Sequence, residues 1–492
     1  MQGQKNYQET LFTNFQLSDK IPQDNFYRRL KDVLDFRFLY RATRKYYGKE
    51  GQKSIDPMVF FKLMLVGYLE NQPSDRRIIT TSSMRMDILY FIGYNIDEPL
   101  PWHSTLSRTR QLFDEEVFLR LFKLILKQCI DKGMLSGRRQ AIDSVFVKAN
   151  ASMDHLEKRE IFDDALVYSR ELKQSEQDDS MVHELKKEKP GKSSNKTHVS
   201  TTDPDSRMSV KPGKVTKLNY LGQVSVDTSS HIITHIEAFH ADKRDSQCLD
   251  AILEKVSANL LENGLQVEEI VADTNYSSSE ALKSLESRGI KGYIPNFGSY
   301  IAEREGFQYN KENDLYYCPG GKTLKFSAYR KKHDMVKVYL SNPADCKNCP
   351  LKISCIGNSR QKMISDTISK PLYDKMHQRM KNNNGKSMMR VRKSTVEPVI
   401  GTLVEYLGMR KVNTRGIKLA NKCMILAGMA YNLKKLLKFQ VNRVYGVSKT
   451  AKNSLVHHFK SITTIIEYYS FLLEGKPTDT LDYKTLRIFI RA

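Results

Sequence analysis

What this chain of 492 residues lacks already narrows its class. No apolar run approaches the roughly 20 residues that a membrane-spanning helix needs, so no membrane partner is expected. The opening Met1-Gln2-Gly3-Gln4-Lys5 has no apolar signal segment, and a cytoplasmic, nucleoid-associated location is expected. Cysteine is scarce at 7 residues, which in such a compartment does not argue for disulfides. Tryptophan occurs once, at Trp102, where it is expected in the core. Acidic residues are also short, 56 against 79 Lys and Arg, leaving a net charge of +23. A surplus of that size in a globular composition points to a polyanionic partner rather than to a merely basic soluble protein. The length suffices for several domains and a sizeable core.

The chain is organised around Arg138-Arg139-Gln140-Ala141-Ile142-Asp143-Ser144-Val145-Phe146-Val147-Lys148-Ala149-Asn150. Its apolar and β-branched residues predict a buried strand. A lone carboxylate inside such a strand costs free energy unless something compensates it. Asp143 therefore reads either as a turn cap or as a metal ligand at the centre of a sheet.

Residues 1–135 read as a helical domain that serves DNA binding. Asp24 and Asn25 precede apolar residues at helical spacing. Asp56 and Pro57 predict an N-cap and first position for a strongly apolar helix over 57–69. Ser74 starts another helix. His103-Ser104-Thr105-Leu106-Ser107-Arg108 begins a short helix that is either packing or, through Ser104 and Arg108, a contact to a DNA groove.

Residues 136–297 read as the first part of an α/β core, with a charged insertion at 151–215 expected as a solvated loop. Residues 220–227 and 232–239 have the signature of a hairpin. An amphipathic helix over 245–260 follows, then a strand over 266–272 ending at Asp273, a helix opened by Ser278, and a strand at Gly292-Tyr293-Ile294. The order predicts an α/β fold, a mixed sheet with helices on its faces. Residues 298–385 are expected as a β-rich insertion containing cysteines. Residues 386–440 are expected as the closing helices of the core, starting near Arg390, and 441–492 as a basic tail.

Asp143, Asp273 and Glu397 are the candidate site. Three converging carboxylates repel one another unless cations are present. Hard oxygen donors of this kind suit Mg²⁺ or Mn²⁺, and two such ions can drive phosphodiester transfer. Arg390, Arg392 and Lys393 would supply positive charge for phosphates, unless they are ordinary surface charge. Cys318, Cys346, Cys349 and Cys355 could hold a structural Zn²⁺ or stay four reduced thiols. Cys129, Cys248 and Cys423 fall on apolar helical patterns and are expected in the core.

Ala141-Ile142-Asp143, then Val271-Ala272-Asp273-Thr274-Asn275-Tyr276-Ser277-Ser278, then Arg392-Lys393-Ser394-Thr395-Val396-Glu397-Pro398-Val399-Ile400-Gly401 resemble the DDE transposases of bacterial insertion sequences. Pro101-Trp102-His103-Ser104-Thr105-Leu106-Ser107-Arg108, Thr202-Asp203-Pro204-Asp205-Ser206-Arg207, Arg415-Gly416 and Ala430-Tyr431-Asn432-Leu433 are further matches, and the resemblance covers roughly residues 15–440. It implies a ribonuclease H-like core behind a helical domain, with Asp143, Asp273 and Glu397 as the metal-binding triad. It also implies cleavage at element ends, joining to double-stranded target DNA, and a homodimer on that DNA. Arg415 joins the expected DNA contacts. Two positions depart from the family: Asn275-Tyr276 where Gly-Tyr is frequent, and Val404 and Glu405 where a DNA-contacting Lys is common. A metal-dependent nuclease without joining activity, or an inactive DNA-binding remnant, would share most of these features.

Overall fold

The computed structural model describes residues 16–48, 50, 54–72, 74–160, 163, 193–210, 215–296, 300–331 and 335–439. Most of the expected charged insertion and the whole basic tail 441–492 lie outside the described residues. The chain divides into two compact units, 1–433 and 434–492. Of the second unit, residues 434–439 are described, and they are helical.

The first unit opens with short helices: α1 (Leu17–Lys20), α2 (Phe26–Val33), α3 (Phe38–Thr43), α4 (Pro57–Leu69), α5 (Asp75–Ser83), α6 (Met86–Ile92), α7 (His103–Leu112) and α8 (Glu115–Asp131). Their starts follow the capping residues. Asn25 Oδ1 accepts from the backbone N–H of Tyr27 at 2.8 Å, and Asp56 Oδ1 accepts from that of Met58 at 2.6 Å. Ser74 Oγ accepts from Arg77 N–H at 3.3 Å. Helix α4 is apolar on every side, and it forms the middle of this cluster with Phe60, Phe61, Leu63 and Leu65 fully buried. Phe113 and Phe118 pack edge-on against Phe60. Buried Arg110 of α7 is compensated by Asp75, with Nη1 3.2 Å from Oδ2. Trp102 is not in the core: it is 70 % exposed. It caps α7 from outside, where the helix's buried face begins only at Leu106.

Strand β1 (Arg139–Lys148) is the spine of the sheet. After it come β2 (Leu156–Lys158), β3 (His198–Ser200), β4 (Arg207–Ser209), β5 (Lys217–Asp227) and β6 (Ile233–His240). Helix α9 (Asp245–Leu261), strand β7 (Glu269–Val271), helix α10 (Ser279–Ser287) and strand β8 (Lys291–Tyr293) complete this half. Across the sheet the order is β6, β5, β1, β7, β8, and β4 continues the β6 edge of β5. β5 runs antiparallel to β1, while β7 and β8 run parallel to it. This is the strand order and direction of a ribonuclease H-like sheet. β7 is shorter than expected because its ladder to β1 covers only Arg139 to Ala141.

Strands β9 (Gln308–Asn310), β10 (Leu315–Tyr317), β11 (Thr323–Lys331), β12 (Met335–Ser341) and β13 (Met363–Thr367) form a separate antiparallel meander. Its small core is Tyr316, Leu324, Tyr339 and Ile364. Helices α11 (Pro343–Lys347) and α12 (Lys352–Ile356) sit between β12 and β13. The chain then returns to the main sheet through α13 (Lys370–Lys381) and α14 (Asn383–Tyr406), so α14 starts earlier than Arg390. The expected continuous helical region is broken after Tyr406, with Gly408 at φ +68° and Gly416 at φ +85°. Helix α15 covers residues 417–433 of this unit.

Helix α15 ties the helical cluster to the sheet. Asn432 pairs with both backbone groups of Ile233, and Asn421 Oδ1 accepts from Ala238 N–H at 2.8 Å. The open edge of β6 is thereby satisfied by side chains rather than by another strand. Asn421 also donates to Glu115 at 2.8 Å, and buried Lys422 donates to the carbonyls of Arg110 and Phe113. The turn ahead of the helix is held by the Asp203-Pro204-Asp205 segment. Asp203 Oδ1 accepts from Gly416 N–H at 3.0 Å, and Asp205 Oδ2 accepts from Ile417 N–H at 2.9 Å. Asp203 also accepts the Tyr220 hydroxyl at 2.7 Å. Asp203→Ala leaves a buried hydroxyl and a turn N–H without an acceptor. It should lower unfolding free energy by about 3 kcal/mol, read as a shifted urea midpoint.

Candidate active site

Asp143 stands where β1 changes from fully buried to partly open, opposite Val224 of β5. Asp273 follows the C-terminal end of β7, the edge where α/β sheets place their sites. Its Oδ1 accepts from Asn275 N–H at 3.0 Å and caps the short turn 274–276. Glu397 comes from α14, beside the buried positions Val396 and Val399, with its side chain 51 % exposed on the flank of that face. Pro398 follows within the same helix and removes one helical N–H there.

The three carboxylates meet around one guanidinium. Arg392, one and a half turns before Glu397, is only 8 % exposed. Its Nη2 lies 2.8 Å from Asp143 Oδ2 and 3.8 Å from Asp273 Oδ2, and its Nη1 lies 3.1 Å from Glu397 Oε1. Arg392 was expected at the surface among phosphate contacts; it faces inward because it shares the buried face of α14 with Met388, Val396 and Val399. Burial pushes the Asp143 carboxyl up to about 6 against the opposing pull of Arg392. Burial likewise raises Asp273.

Beneath them runs a polar chain that the sequence reading did not assign. The fully buried Tyr276 hydroxyl donates to Gln223 Oε1, and Gln223 Nε2 donates to Asp245 Oδ1 at 2.8 Å. Asp245 adds negative charge near Asp143 and Asp273 and raises both. One sign was available in the sequence: Gln223 interrupts the apolar strand Tyr220-Leu221-Gly222-Gln223-Val224. The departure at Asn275-Tyr276 has a local reason, since Asn275 bonds back to Asp273 while Tyr276 enters this chain.

The site opens into a cleft of about 1370 Å³ that Lys243, Arg244, Asn275 and Tyr300 also line. Arg390 and Lys393 are exposed on α14, seven and four residues before Glu397 and so on its side of the helix, and Arg415 is exposed before α15. Arg108 is exposed on α7 and donates to Ser104 at 3.0 Å. Cys318, Cys346, Cys349 and Cys355 line a separate cavity of about 260 Å³ in the meander. Cys129, Cys248 and Cys423 are buried.

Three hard carboxylates from three elements fit Mg²⁺ or Mn²⁺ in donor chemistry. With Arg392 between them, and with the thiols as placed, no three His, Cys, Asp or Glu side chains converge on one ion among the described residues.

Residues 15–112 match a transposase domain model (DUF772), and residues 317–437 match a transposase DDE domain model. Both matched segments are transposase domains, the second of the DDE type. The second match contains Glu397; Asp143 and Asp273 lie before it. Among solved structures, the chain is similar to the piggyBac transposase synaptic complex with hairpin DNA. The identity is 9 % and the TM-score 0.32, over 85 % of this chain and 75 % of that one. It is also similar to the Mos1 transposase paired-end complex with the left transposon end. There the identity is 11 % and the TM-score 0.16, over 52 % of this chain and 63 % of that one. No curated protein matches the sequence. No helix among the described residues is long and apolar enough to cross a membrane.

Gln223→Leu removes the link between Tyr276 and Asp245 without touching the three carboxylates. Mn²⁺ affinity should fall by about 10- to 100-fold with the far-ultraviolet spectrum unchanged. Affinity equal to that of the wild type would show that this chain does not hold the site in place.

Proposed function

We propose that this transposase cuts DNA at the ends of a bacterial insertion sequence and joins them to target DNA, using Asp143, Asp273 and Glu397. The observation that carries this reading is their convergence, from β1, the end of β7 and α14, on a single cation at the floor of a cleft. Asp143, Asp273 and Glu397 would hold Mg²⁺ or Mn²⁺, which when bound would supply Lewis-acid activation of the attacking hydroxyl and charge compensation for the leaving oxygen. The chain's own part is rigidity and charge. β1 and the turn after β7 fix the two aspartates, while the half-exposed Glu397 closes the set from the helix side. Lys243 and Arg244 line the cleft and attract the phosphate backbone; Arg390, Lys393 and Arg415 extend that charge outside it. Exposed Arg108, with Ser104, offers α7 to a DNA groove. Bringing two element ends together calls for a homodimer on DNA. Residues 1–135 act as the DNA-binding part, 136–297 and 386–440 as the catalytic core, and 298–385 as its insertion.

The four cysteines of the insertion have the donor chemistry of a structural zinc site and share one cavity. Purified protein should carry Zn²⁺ by elemental analysis and lose it in Cys349→Ser. Metal-free protein would mean four reduced thiols.

The central test uses a labelled duplex carrying an element end, with Mg²⁺ or EDTA. Wild type should nick and join it only with Mg²⁺. Asp143→Asn and Glu397→Gln should each lose at least about a thousandfold in rate while binding the duplex as before. A loss of that size corresponds to several kcal/mol of transition-state stabilisation. Cleavage without joining would make the protein a nuclease, and full activity in either variant would overturn the triad.

A further inference from the structure

Arg392 is the residue of the site that the proposed chemistry does not use. Its guanidinium lies among the oxygens that would ligate the ions, touching all three carboxylates at 2.8, 3.8 and 3.1 Å. A guanidinium and a metal ion cannot both hold those oxygens. Removing the arginine without a replacement cation would leave two largely buried aspartates and the half-exposed Glu397 without their shared partner, which is costly. Its departure is therefore tied to the arrival of other positive charge. Its Nε is buried and has no hydrogen-bond partner among the described residues. The planar fork that now spans the carboxylates also matches a phosphate, and the cleft has space for the side chain to turn into.

We propose that Arg392 is a built-in competitor for the metal site: it holds the three carboxylates when DNA is absent and exchanges them for a DNA phosphate when the duplex binds. Metal and DNA uptake are thereby coupled. The inference rests on the function proposed above for Asp143, Asp273 and Glu397. A static support would behave oppositely, because removing a support loosens the ligands and weakens metal binding. The sign of one affinity change separates the two roles.

The test measures Mn²⁺ affinity of the full-length, metal-free protein from the electron paramagnetic resonance signal of free Mn²⁺, with and without the element-end duplex. In wild type the duplex should tighten Mn²⁺ binding by a factor in the usual range of site-to-site coupling, about 5- to 150-fold. Without DNA, Arg392→Gln should already bind Mn²⁺ tighter than wild type by a similar factor, and the duplex should add little. Arg392→Lys keeps the charge but loses the fork; it should fall between the two, and it serves if the glutamine variant does not fold. Unchanged or weaker binding in the variants, or an undiminished effect of DNA, overturns the proposal. Asp143→Asn distinguishes the failures. If it abolishes Mn²⁺ binding while the Arg392 variants behave like wild type, only the competitor role falls. If it binds Mn²⁺ and cleaves DNA like wild type, the carboxylate site itself is wrong.

Discussion

Buried like charge is the constraint on which this structure turns. Asp143 and Asp273 are pressed together at the end of a sheet, Asp245 stands close behind, and Glu397 approaches from a helix. In water such a group would separate. Here the strands and the turn after β7 hold it together, and burial raises the two site aspartates even with Arg392 among them. A site built this way stores an affinity for cations. In the proposed function, charge that builds up on the reacting oxygens would need the same compensation.

The rest of the first unit keeps those charges from drifting apart. Asp143 sits on β1, which is paired on both sides along its buried half. Glu397 depends on α14, and α14 packs against β1 and β5. The loop after α14 adds a backbone link from Lys148 to Lys411. Helix α15 then closes the edge of β6 through Asn421 and Asn432 and anchors the N-terminal helices through Lys422. Asp203 and Asp205 fix the start of that helix across more than two hundred residues of chain. The motifs 202–207 and 415–416, which look unrelated in the sequence, are the two halves of one turn.

Much of this was readable because it follows local rules. Caps at Asn25, Asp56, Ser74 and Ser278 mark helix starts, and the β5–β6 hairpin shows in two strand-like stretches flanking the polar Thr228-Ser229-Ser230-His231. Asp143 and Asp273 stand out as charges in the middle and at the end of apolar segments, whereas Glu397 lies in a basic helical stretch and is singled out by the family resemblance. What stayed hidden depends on which way a side chain turns. Arg392 and Lys393 look alike as neighbours in a basic stretch; helical rotation buries the first and exposes the second. Trp102 looked like core from its chemistry, yet it precedes the buried face of its helix. Gln223, Tyr276 and Asp245 join only through the tertiary fold, so no spacing announced them.

The most direct measurement is anomalous diffraction from crystals of the wild-type protein with Mn²⁺ and an element-end duplex. Manganese peaks among Asp143, Asp273 and Glu397, with Arg392 turned away onto a phosphate, are the expected result. Manganese absent from those carboxylates, with Arg392 still between them and DNA in the cleft, would contradict it.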